Sequence, residues 1–145
     1  MIWIVIVAVI VFAVFKILSA FKKDLKKDSL DLNGIELSEK FSVIVDMLNE
    51  VAFHNKGIII KVDNKEFKLY GDGQNKIIYF LYGAGHLTIT WKHKYLQKEV
   101  VYKKALHNAR NISIEEQEKF CKDLVIEMSE VIKNHQNKVG LLGDM

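Results

Sequence analysis

The chain contains no proline and one cysteine in 145 residues, and only Arg110 among its 21 cationic side chains is an arginine. Each shortage excludes a class of protein. Without proline a collagen-type helix is out. A lone thiol builds no disulfide framework and completes no cysteine-based zinc set. A single guanidinium leaves bidentate readout of guanine or paired phosphates almost without a donor. Residues 35–145 carry 16 cations and 15 anions, so that part of the chain has no basic field for nucleic acid, and no nucleic-acid partner is expected. The five histidines, at 54, 86, 93, 107 and 135, never fall in the close pairs used by zinc sites on helices. No metal site and no cofactor is therefore predicted.

What is present is unevenly distributed. Half of the residues are apolar, too many for a disordered chain, and they crowd the N-terminus. Residues 1–21 read MIWIVIVAVIVFAVFKILSAF, interrupted only by Lys16 and Ser19. At about 1.5 Å per residue this run makes roughly 31 Å of helix, matching a hydrocarbon core of about 30 Å. Lys16 lies near enough to the end to snorkel, and Trp3 sits at the opposite interface. No basic residue precedes the run, and Leu18-Ser19-Ala20 lacks a small first position, so an uncleaved anchor is expected rather than a signal peptide. Lys16, Lys22, Lys23, Lys26 and Lys27 all follow the bulk of the apolar stretch, which by the positive-inside bias places the N-terminus outside and the rest of the chain in the cytoplasm. The lone Cys121 suits a reducing compartment, and the sequon at Asn111 has no meaning there. The bilayer is thus the first expected partner, through residues 1–21, followed by a Lys-rich juxtamembrane linker over 22–33.

The remainder predicts one domain over 34–138 and a flexible tail over 139–145. Asn33 and Glu36 have capping-box spacing, and Leu37, Phe41, Ile44, Val45, Leu48, Val51 and Ala52 recur at helical intervals, with Gly57 as a left-handed cap. From Ile58 the period changes to two. Ile58–Val62, Lys65–Tyr70, Lys76–Tyr82, His86–Tyr95 and Lys98–Leu106 read as short strands too closely spaced for crossover helices. Ser113-Ile114-Glu115-Glu116 is a second capping box, and Ile114, Phe120, Cys121, Leu124, Val125, Met128, Val131 and Ile132 continue a second amphipathic helix to about Asn137. Helix, meander of four or five antiparallel strands, helix is an α+β order with both helices on one face.

Chemistry is sparse. Gly83-Ala84-Gly85-His86 and Gly71-Asp72-Gly73 lack the remainder of any phosphate-binding motif and read as hairpin turns. Cys121 falls on an apolar stripe, where an inert buried thiol is expected. Asp72, His86 and His107 are the polar residues of one possible site, a small-ligand or hydrolytic pocket near the Gly83 to His86 turn. No nucleophile in a motif context accompanies them.

The other possible site follows from strand register. A three-residue loop at Gly83 to Gly85 sets Tyr82 opposite His86 and turns Ile77, Tyr79 and Leu81 toward Trp91, Ile89 and Leu87 as the core. With two-residue pairing at Asp63-Asn64, Ile58 and Ile60 join that face. Ile59, Tyr70, Ile78, Phe80 and Tyr82 are then left with His86 as an apolar patch on the outer face, which no third helix covers. β-propensity alone also places aromatics on exposed strands. The expectation is a membrane-anchored, non-enzymatic interaction domain that takes a protein partner, or a second copy of itself, on this outer face.

Overall fold

The Ile-, Val-, Tyr- and Thr-rich runs between Ile58 and Leu106 form five strands: β1 (Ile58–Lys61), β2 (Glu66–Tyr70), β3 (Lys76–Gly83), β4 (His86–Tyr95) and β5 (Lys98–Leu106). The structure is a computed structural model. It describes residues 2–32, 34–71, 73 and 75–143, with the side chains of all of these except 21, 24–32 and 141–143. The strands pair antiparallel in the order β1-β2-β3-β4-β5. Their connections are short enough for hairpins throughout, as antiparallel pairing allows.

Among the described residues four helices accompany the sheet: α1 (Ile2–Leu32), α2 (Leu37–Lys40), α3 (Ser42–Phe53) and α4 (Ile114–Gly143), with a 3-10 turn at Ala109–Asn111 before α4. The apolar N-terminal run is helical, and Ile2–Ala20 is long and apolar enough to cross a membrane. The Lys-rich stretch expected as a linker continues the same helix to Leu32. Asn33, half of the first expected capping box, lies outside the described residues. The helix expected from Leu37 onward breaks at Phe41 (φ −108°, ψ 32°) into α2 and α3.

Gly57 is not the cap of α3. His54 (φ 52°) and Asn55 (φ 63°) take the left-handed conformation, and their N–H groups donate to the carbonyls of Glu50 and Asn49 at 3.1 Å each, a Schellman-type ending. Gly57 is small for another reason. A Cβ there would lie 2.6 Å from Asn49 Oδ1 and 3.0 Å from Leu69 Cδ1, while its own N–H donates to Asn49 Oδ1 at 2.8 Å. The second capping box forms as read: Glu116 N–H donates to Ser113 Oγ (3.2 Å) and Ser113 N–H to Glu116 Oε2 (3.0 Å). α4 then runs on to Gly143 with Val139 buried, so residues 139–143 are helix rather than a loose tail.

The core lies between one face of the sheet and the helices. Leu37, Phe41, Ile44, Val45, Leu48, Ala52 and Phe53 from α2, α3 and the break between them, and Phe120, Cys121, Leu124 and Met128 from α4, close over Phe67, Leu69, Ile78, Phe80, Tyr82, Leu87, Ile89 and Trp91. The strand set differs from expectation on β3. Ala84 (φ 52°) and Gly85 (φ 75°) form a two-residue loop, Gly83 pairs with His86, and so Tyr82 faces Leu87, Phe80 faces Ile89 and Ile78 faces Trp91. Two left-handed residues in succession are the signature of a type I′ hairpin, and counting Gly83 into the strand moves the register by one, which reverses every β3 side chain. At the first hairpin the register sets Ile59 opposite Leu69 and Lys61 opposite Phe67. Ile58 and Ile60 therefore lie on the outer face instead of in the core.

Register has an energetic consequence that separates neighbours on one strand. Phe80 is fully buried and stacks on Phe67 with ring centroids 4.4 Å apart, whereas Leu81 is half exposed. Phe80→Ala is expected to cost about 3–5 kcal/mol in denaturant unfolding of the detergent-solubilised chain, and Leu81→Ala no more than about 0.5 kcal/mol. A larger loss at Leu81 than at Phe80 would restore the other register.

Candidate functional site

The helical layer is narrower than the sheet beneath it. α3 packs on β2, α4 on β4 and β5, and the two helices pack on each other. The single turn of α2 covers the region of the first hairpin. Beside β1 this leaves a cleft of about 360 Å³ whose lining includes Ile35, Glu36, Leu37, Ile59, Lys61 and Phe67. The ion pair at its rim, Lys61 Nζ to Glu36 Oε1 at 3.4 Å, joins two largely exposed groups and contributes little to stability.

β1 is also an edge. Ile58, Ile59, Ile60 and Val62 are 58%, 45%, 40% and 53% exposed. Which backbone groups point away from the sheet follows from one bond. Val62 N–H donates to Glu66 O at 3.0 Å. Because antiparallel strands alternate, Val62, Ile60 and Ile58 turn their N–H and C=O groups toward β2, and Ile59 and Lys61 turn theirs to the open side. The other edge, β5, is defended by Lys98, Glu99, Lys103 and Lys104, and the Lys98 carbonyl is engaged by His135 Nε2 at 3.2 Å. Charge of that kind blocks strand addition, and β1 carries only Lys61.

The outer-face site expected from sequence is not assembled. Ile78, Phe80 and Tyr82 are in the core. Ile59 lies on the core side and lines the cleft. Tyr70, paired with Ile58 and Ile77, and His86 remain on the outer side. Sequence reasoning passed over the β1 edge itself. The available signal was topological: the first strand of a meander has a neighbour on one side only.

Of the alternative polar site, the structure joins two members. His86 and His107 stand opposite one another with Nδ1 atoms 3.2 Å apart and rings edge to face. Asp72 lies outside the described residues. Among the described residues no three His, Cys, Asp or Glu side chains are grouped to hold a metal ion.

Two buried titratable groups belong to the core. The Cys121 thiol, fully buried with Sγ 4.0 Å from the Ile44 carbonyl, is pushed up to about 11 by desolvation, so it stays protonated and unreactive. His93 is buried on β4 with neither ring nitrogen hydrogen-bonded. Desolvation first, then the positive charge of Lys76 and the proximity of His135, lower its pKa from the ordinary 6.5.

No family model matches the chain, and no curated protein or solved structure does either.

Both buried groups give measurable expectations. Native Cys121 should react with a maleimide only as fast as the chain unfolds, and Cys121→Ser should destabilise more than Cys121→Ala because it places a hydroxyl in an apolar stripe. Rapid labelling would contradict the burial. Since the folded pKa of His93 lies below the unfolded 6.5, the unfolded state takes up the proton first. Stability is complete above about pH 6.5 and declines as the pH falls below it toward the folded value. His93→Leu should flatten the fall in melting temperature between about pH 7.5 and 5.5, and an unchanged slope would assign it to other groups.

Proposed function

We propose that this chain is a single-pass membrane protein whose cytoplasmic α+β domain is a non-enzymatic interaction module receiving its partner at the β1 edge. The observation that carries this is the isoleucine-rich edge strand with its outward N–H and C=O groups beside an open cleft. Main-chain groups supply affinity and adjacent side-chain space supplies specificity when a partner adds a strand. The membrane assignment is supported by the apolar helix Ile2–Ala20, and the orientation by the five lysines from Lys16 to Lys27 toward its C-terminal side. The competing assignment, a ligand-binding or hydrolytic pocket at the Gly83 to His86 turn, draws less support. His86 and His107 meet there, but among the described residues no carboxylate or thiol joins them as a third member of a metal-holding group.

Protease added to intact cells should spare residues 35–145, and digestion before lysis would reverse the orientation. In detergent extracts Ile60→Lys should remove the chain from its assemblies in size-exclusion chromatography while leaving its unfolding midpoint unchanged. Assemblies that survive this substitution would place the interaction elsewhere.

A further inference from the structure

Taking β1 as the receiving edge, we propose that the strand it receives is β1 of a second copy, joining two domains into one continuous antiparallel sheet. The strand is complementary to itself. A twofold axis through Ile60 sets Ile60 against the same residue of the second copy, Ile58 against Val62, and Ile59 against Lys61. Every backbone group that Ile59 and Lys61 direct outward then meets its complement: Ile59 of each copy exchanges N–H···O=C bonds with Lys61 of the other on both sides of the axis.

The side chains agree with that register. Ile58, Ile60 and Val62, all exposed on the outer face, pair only with apolar residues. On the cleft side Lys61 opposes an isoleucine and keeps its own Glu36 as counter-ion. The neighbouring symmetric registers are worse. An axis through Lys61 sets two lysines face to face. An axis through Ile59 directs the Lys61 carbonyl at the Gly57 N–H of the other copy, which Asn49 Oδ1 already occupies. The axis runs perpendicular to the sheet, and a dimer with both anchors in one bilayer needs its axis along the bilayer normal, so the paired sheet lies parallel to the membrane. Gly34, at φ +80° with open space around it, supplies the turn between anchor and domain.

The test uses the full-length chain in isolated native membranes under mild oxidation. Ile60→Cys sits on the axis at a non-hydrogen-bonded pair, where Cα atoms about 4.5 Å apart suit a disulfide, and should be converted largely to a disulfide-linked dimer. The wild-type chain should remain monomeric on the same gel because Cys121 is buried. Ile58→Cys and Val62→Cys should each fail alone and cross-link when coexpressed. An Ile60→Cys chain that stays monomeric overturns the dimer. If a photo-cross-linker attached to the thiol introduced by that substitution then joins it to a different protein, β1 is still a receiving edge with another occupant. If it joins to nothing, the interaction edge itself falls as well.

Discussion

Two left-handed residues, Ala84 and Gly85, determine which half of β3 is core, and most of the domain follows from that. By closing the hairpin on the Gly83–His86 pair they bring Tyr82, Phe80 and Ile78 level with Leu87, Ile89 and Trp91. The same row meets Phe67 and Leu69 of β2, giving the helices a continuous apolar surface to cover. The turn also positions what comes after the sheet. Ala109 N–H donates to the Gly85 carbonyl at 2.8 Å, and the Arg110 guanidinium packs so closely that a Cβ at Gly85 would lie 3.2 Å from its Cζ. The 3-10 turn leading into α4 is thus fastened to the hairpin that sets the register. Ala84 holds a conformation that costs a residue with a Cβ some energy, and the core aligned by it outweighs that cost.

Element types and boundaries were largely legible in the sequence, because each rested on local chemistry. The Ser113–Glu116 box, the spacing of Phe41, Ile44, Val45 and Leu48, and the five β-rich runs each need only neighbouring residues to be read. Register was not legible. Lys76 to Tyr82 reads KIIYFLY, with Ile77, Tyr79 and Leu81 on one side and Ile78, Phe80 and Tyr82 on the other, so alternation gives both faces equal claim to the interior. Loop length alone decides between them, and Gly-Ala-Gly fits a two- or a three-residue loop. The Schellman ending at His54 was hidden for a related reason: residues with a Cβ took the left-handed positions, while the nearby glycine was required by the close approach of Asn49 and Leu69.

The candidate site arises where the helical layer runs out. α3 and α4 span the middle and far strands, and α2, one turn long, does not extend the cover across β1. A meander must end in two edges, and this one treats them differently. β5 carries charges along its length and contacts α4 through Lys104 and Glu127 at 2.8 Å. β1 carries three consecutive isoleucines. Reversal of β3 took the expected patch off the outer face, but the apolar surface left over by the fold did not vanish. Ile77, Tyr79 and Leu81 take the outer positions on β3, and Ile58, Ile60 and Val62 add apolar surface on that face at an edge where backbone as well as side chains is open.

Four residues of strand are a small contact, and an isolated two-stranded pairing is marginal in water. On a freely diffusing protein such an edge is either too weak to hold a partner or, if longer and flatter, a route to aggregation. The proposed membrane anchor, on the apolar helix Ile2–Ala20, would change both sides of that balance. Confinement to a plane raises the effective concentration of copies, so that a contact too weak in solution becomes populated without any new interaction. The proposed anchor would also restrict approach: chains held in one bilayer with one orientation would meet as pairs about an axis along its normal. Open-ended stacking of edges is also barred, because β5 is charged and each domain offers only one β1. A short, unguarded strand and a long apolar helix therefore make physical sense together, each limiting what the other would do alone.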